Sequence, residues 1–150
     1  MNQKGFSFLE LIIVILLSSI VGSGVVLSTR IVQEVQFKAL VTKVEQGIRY
    51  AQQRAVATGK QYNVYCTKQK IYIRQGNNIP LYKIEVGDEV TIPTKNADGT
   101  FMTGKDIKFH GKMAPSQAGT IVLIHQGLKK KARITIRVAT GKTTVYFESI

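Results

Sequence analysis

Residues 6–27 form a run of 22 residues that carries a single charge, Glu10. As a helix rising ~1.5 Å per residue, the run would extend ~33 Å, enough to cross the hydrocarbon core of a bilayer. Nothing else in the chain restricts its folding options as tightly. A secretory peptide that is cut away has an apolar core of about 7–15 residues and then a small-residue cleavage site. Here the run is longer, and Gly22-Ser23-Gly24 is followed by Val25-Val26-Leu27, so the hydrophobic pattern continues past the small residues. The segment is expected to stay in the protein. Lys4 before the run and Arg30 after it give only a slight charge preference for a cytoplasmic N-terminus. Within the run, Ser18, Ser19, Gly22, Ser23 and Gly24 put small side chains on adjoining faces, suited to close helix packing in a filament or to local unwinding, or simply tolerated in lipid.

Glu10 carries the most information. A carboxylate at mid-bilayer costs about 2.5–3.5 kcal/mol on the insertion scale, and less near the interface. Either it lies at the membrane surface, favoured by the positive end of the helix, or a cation pairs with it inside the apolar layer.

Beyond Arg30 the pattern turns amphipathic. Phe37, Val41, Val44, Ile48, Ala51 and Ala55 follow a 4-3-4-3-4 spacing that places them on one helical face, and Lys38, Lys43, Glu45, Arg49, Gln52 and Arg54 fall mainly elsewhere. No proline precedes Pro80, and Thr58-Gly59 supplies a C-terminal stop. A helix from residue 6 to residue 58 would be ~80 Å long. The stripe is shorter than three heptads and ends in alanine, which favours packing on the protein's own head over a coiled coil.

From Gln61 onward, short runs of β-formers alternate with turn residues. The expected strands are residues 62–66, 71–74, 81–86, 90–92, 107–109, 120–125, 133–139 and 143–147, the last two forming a hairpin about Thr140-Gly141. Ile134, Ile136 and Val138 alternate with Arg133, Thr135 and Arg137, which predicts one buried and one wet face. The fold class is α+β: one long N-terminal helix, membrane half plus amphipathic half, on a small antiparallel sheet head.

The single cysteine, Cys66, excludes an intramolecular disulfide and a cysteine-based zinc cluster, and two histidines, His110 and His125, do not argue for a metal site. Cys66 alternates with Tyr62 and Val64 and is expected to act as a small buried hydrophobe. His125 is expected to be structural or on the surface, and His110 to be a turn residue. No nucleophile elbow, zinc-protease helix or phosphate loop is present, so neither catalysis nor a cofactor is expected.

Lysine and arginine number 21 against 9 acids, a net charge of +12. Residues 105–142 hold nine of these cations and one acid, Asp106. A surplus of this size attracts anionic partners. Lys129, Lys130, Lys131, Arg133, Arg137 and Lys142 form the candidate anion or DNA site, expected at one end of the sheet, where phosphates would be neutralised without sequence readout. A solvated loop, or a face toward anionic wall polymers or lipids, accounts for the same residues equally well.

The stretch Lys4-Gly5-Phe6-Ser7-Phe8-Leu9-Glu10 resembles the processing site of type IV prepilins and pseudopilins. That family has a short basic leader ending in glycine, then phenylalanine, then an apolar stretch with glutamate five positions after the cut. The resemblance implies cleavage between Gly5 and Phe6 by a prepilin peptidase, N-methylation of Phe6, and pairing of Glu10 with the Phe6 amine of a neighbouring subunit. It implies a leader at 1–5, a transmembrane or filament-core helix at 6–29, an amphipathic helix at 30–58 and a β-rich head at 59–150. The glycines around residues 109–121 and the final turn resemble the group of secretion H subunits, FimT-like minor pilins and competence ComGD subunits. The lysine-rich, cysteine-poor head looks most like the ComGD branch. That group often has Gly-Arg at the last turn, and Gly141-Lys142 keeps the charge without the forked guanidinium. The implied role is that of a minor pseudopilin in a competence pseudopilus for DNA uptake. It would be held in the cytoplasmic membrane with its head outside and, once processed, join other pilins at the cell surface. A subunit of type II secretion or of a type IV pilus, and a membrane-anchored binding protein that never polymerises, are the alternatives.

Overall fold

The structure, a computed structural model, describes residues 8–76, 80–93, 106–112, 114–117 and 119–150, with the backbone alone for residues 21–28. Among the described residues one helix, α1 (Phe8–Thr58), precedes eight strands: β1 (Gln61–Cys66), β2 (Lys70–Gln75), β3 (Pro80–Glu85), β4 (Val90–Thr91), β5 (Asp106–His110), β6 (Gly119–His125), β7 (Lys130–Ile136) and β8 (Thr143–Ser149). The helix stops where the sequence supplies a stop. The Thr58 hydroxyl donates to the Arg54 carbonyl at 2.7 Å, and Gly59 takes φ 66°, a left-handed cap that costs glycine little.

The chain divides into two compact units, Met1–Gln36 and Phe37–Ile150. In the first, the described residues are α-helical, and the hydroxyls of Ser18 and Ser19 donate to the carbonyls of Val14 and Leu16 at 2.7 Å each. Both serines satisfy themselves locally, which suits them to a surrounding without water.

In the second unit the amphipathic stripe meets its partners. Phe37, Val41, Val44, Ile48, Ala51 and Ala55 are all buried in one core with residues of both sheets, so the head itself covers the stripe. The strands form two four-stranded antiparallel sheets, ordered β3-β2-β1-β5 and β4-β6-β7-β8, where the sequence pattern had implied one. Two glycines set how closely the layers approach. A Cβ on Gly47 would sit 2.9 Å from Ile73 Cδ1 and 3.1 Å from Ile84 Cδ1, so α1 lies tight on the first sheet there. A Cβ on Gly119 would overlap the Ile107 side chain, where β6 passes β5. At the second sheet, the Gln52 amide donates to the Gly141 carbonyl at 2.7 Å, a buried bond between α1 and the β7–β8 turn.

The final hairpin departs from the expected 133–139 strand. Ala132, Ile134 and Ile136 are buried, as the alternation requires, but β7 ends at Ile136 and Val138 is exposed. The cause is the turn. The Gly141 N–H donates to the Arg137 carbonyl at 2.8 Å and the Arg137 N–H to the Lys142 carbonyl at 3.1 Å, so residues 138–141 close a loop outside the ladder.

Candidate assembly helix and basic strand

Gly5 and Phe6, the residues of the expected cut, lie outside the described residues. Glu10 stands in the first turn of α1, where a carboxylate faces the positive end of the helix. Around it the side chains are apolar and uncovered. Every residue from 8 to 20 is exposed, including Phe8, Leu9, Leu11 and Ile20. A helix that is hydrophobic on all sides belongs in lipid or among other helices, because no water-facing side is left to it. Among the described residues no helix is long and apolar enough to cross a membrane. The side chains described in the apolar run end at Ile20.

The basic residues are not gathered at one end of the sheet. β7 and β8 pair from Lys130↔Ser149 through Ile136↔Thr143. Lys129, Lys130 and Lys131 therefore mark one end of the ribbon, and Arg137 and Lys142 mark the other, about 20 Å away at ~3.3 Å per residue. The expected gathering at one end of the sheet does not occur, because the strand runs its full length between the two groups. In the structure Lys130 and Lys131 belong to the strand.

Lys131 and Arg133 are already matched. Lys131 Nζ donates to Glu148 Oε2 at 2.8 Å, and Arg133 Nη2 donates to Glu148 Oε1 at 2.7 Å. The hydrogen bond from Lys131, with Arg133 beside it, holds the Glu148 carboxyl below its ordinary range. Arg133 also lies over the Tyr146 ring, 5.6 Å from its centroid. Glu148 and Tyr146 were missed as partners, although counting outward from the Gly141 turn places both opposite the basic residues. A similar arrangement stands on the first sheet. Arg74 donates to Asp106 at 2.8 Å and stacks 4.3 Å above the Tyr65 ring, which stacks in turn on Tyr72.

The cysteine and both histidines are engaged within the head. Cys66 is buried, and burial, with Asp106 adding to it, pushes its thiol up to about 12. An un-ionised thiol in such a site is a poor nucleophile. His125 is buried: its Nδ1 accepts the Leu128 N–H at 3.3 Å, its Nε2 lies 3.3 Å from Glu89, and its ring meets Phe37 edge-on at 5.5 Å. His110 closes β5 rather than a turn, with Ser116 and Gln61 each 2.8 Å from its ring nitrogens. Among the described residues no group of His, Cys, Asp and Glu is placed to hold a metal ion.

Comparison with known proteins agrees at two places. The family model for the prokaryotic N-terminal methylation motif matches residues 1–26. No curated protein matches the chain. Among solved structures, the type IV minor pilin FimU of Pseudomonas aeruginosa strain PAO1 is similar in two crystal forms. In the first the TM-score is 0.58 at 13% identity, over 76% of this chain and 90% of that one. In the second it is 0.54 at 15% identity, over 73% and 91%. Identities this low establish the fold alone. The chain has the type IV pilin fold, preceded by an N-terminal methylation motif.

Proposed function

We propose that this chain is a minor pilin or pseudopilin, made with a leader at residues 1–5, cut between Gly5 and Phe6 by a prepilin peptidase, and methylated on the new Phe6 amine. The observation that carries the proposal is the coincidence of the methylation motif at residues 1–26 with the pilin fold and with a first helical stretch, residues 8–20, that is exposed throughout. The boundaries that go with it are a membrane or filament-core segment at 6–29, an amphipathic segment at 30–58 and a head at 59–150. The processed protein rests in the cytoplasmic membrane with its head outside until it enters a filament at the cell surface.

In this reading Glu10 neutralises the Phe6 amine of an adjacent subunit. Two charges in an apolar layer lower each other's cost, and removing either leaves the other uncompensated, a loss of about 3–5 kcal/mol for a buried pair. The pair therefore sets the axial register between neighbouring helices. The role is structural, without catalysis or cofactor.

The machine served is a competence pseudopilus, a reading that the net charge of +12 and the ComGD resemblance favour, since a polyanion must pass it. The likeness to a type IV minor pilin favours a type IV pilus instead. Deleting the gene separates them: the first requires loss of DNA uptake with surface pili retained, the second loss of pili. Direct DNA contact through residues 129–142 is no part of the reading, because Glu148 already occupies Lys131 and Arg133.

The assembly claim is tested by shearing filaments from cells. The chain is expected in the sheared fraction, and absent from it when the prepilin peptidase is inactivated. Equal recovery with and without the peptidase would leave a membrane-anchored protein that never polymerises.

A further inference from the structure

Each of the two sheets has two edge strands, and three of the four edges are blunted. β4 is only two residues long. β5 is covered by its own continuation, with Phe109 bridged to Pro115 and the Ser116 N–H donating to the Lys108 carbonyl at 2.9 Å. β3 opens with Pro80, pairs with β2 through a register shift at Ile73/Arg74, and carries Lys83 and Glu85. Proline, irregular pairing, charge and short length are the devices that keep a sheet edge from recruiting another chain.

β8 lacks the proline, the irregular pairing and the short length. It runs seven residues, TTVYFES, in unbroken register with β7, without proline or glycine and with a single charged residue, Glu148. The phase of its hydrogen bonds follows from both ends. Ile150 N–H donates to the Lys129 carbonyl, and Arg137 N–H donates to the Lys142 carbonyl. Bonded and non-bonded pairs alternate in an antiparallel ladder. Thr143, Val145, Phe147 and Ser149 therefore aim their backbone N–H and C=O groups away from β7, and among the described residues no strand pairs with that side. Tyr146, Phe147 and Ile150 are exposed along it.

We infer that the open edge of β8 is a docking edge that takes an extended strand with acidic ends from a different subunit of the same filament. The inference rests on the filament reading above. The charge pattern selects the occupant. Arg137 and Lys142 stand at one end of β8, and Lys129, next to the Lys131–Glu148 pair, at the other. A second copy added in either direction would set cations against cations, on chains that each carry +12. A strand with an apolar middle and Asp or Glu at both ends meets Val145 and Phe147 centrally and the cations terminally.

The test places photoreactive p-benzoylphenylalanine at position 147 of the full chain in producing cells, with cross-linked peptides mapped by mass spectrometry. The expected adduct is an extended, acidic-ended stretch of another pilin-like subunit. Val145→Pro removes an outward N–H that the β7 ladder does not use, and should cut the adduct at least tenfold while the head keeps its thermal transition. Should that variant unfold, Arg137→Glu with Lys142→Glu, which keeps every backbone N–H, should lower the yield severalfold. Adducts with a second copy, with DNA or with lipid, no adduct, or an adduct indifferent to the folded variants would overturn the inference. The N-terminus of the same sample, at Phe6 or at Met1, reports separately on whether the filament reading itself holds.

Discussion

At the level of single residues, the chain separates groups that hold the head together from those left for partners. Ile48 lies in the buried stripe, and Ile48→Ala should cost about 2–5 kcal/mol in the unfolding free energy of the head measured by denaturant titration. Val138, exposed beyond the end of β7, should tolerate Val138→Thr within about 0.5 kcal/mol. Cys66 gives a pH signature. Its thiol ionises near 9.0 when unfolded and near 12 when buried, so above about pH 9 the unfolded state releases a proton that the folded state keeps. Stability conferred by the neutral thiol is complete below pH 9 and falls as pH rises toward 12. The alkaline loss should be shallower in Cys66→Ala, although that variant starts from a lower stability. Glu148 acts in the opposite direction. Its carboxyl is held below its ordinary range, so its contribution is present above that range and is lost as pH falls through its folded value.

Among the elements, the helix was the most legible in sequence and the last hairpin the least. Spacing alone located the buried stripe of α1, because a 3.6-residue period leaves a pattern that any apolar set on one face must follow. The Thr58-Gly59 stop was legible for a similar local reason. Every expected strand has a counterpart, yet the division into two sheets was hidden, since strand order is fixed by contacts distant in sequence. The turn at residues 137–142 was misjudged because a loop closed by Gly141 N–H to Arg137 C=O leaves Val138 in an alternating pattern that the ladder does not use. His125 was open to either placement because nothing local shows that Phe37, 88 positions earlier, packs against its ring. Gly47 gave no sequence signal either. Its reason is the close approach to Ile73 and Ile84, and Gly47→Leu should overpack that contact, destabilising the head by about 1–3 kcal/mol in the same titration.

Across the whole molecule, the chemistry divides between the head and the apolar first part of α1. The head buries its cysteine and one histidine and pairs Glu148 with two of its cations. Residues 8–20 of α1 place one carboxylate, Glu10, among exposed hydrophobic side chains. Of the candidate site, the motif around Glu10 was readable because it is contiguous in sequence, whereas the basic residues needed strand register to show that they lie at opposite ends of a ribbon. Glu10→Gln should leave the head folded and the chain in the membrane fraction, and should reduce its recovery in sheared filaments at least tenfold. Undiminished recovery would remove charge pairing from the account. The most direct measurement is the intact mass and N-terminal sequence of the protein extracted from membranes. A chain beginning at N-methylated Phe6 is the predicted result, and a chain still beginning at Met1 would contradict it.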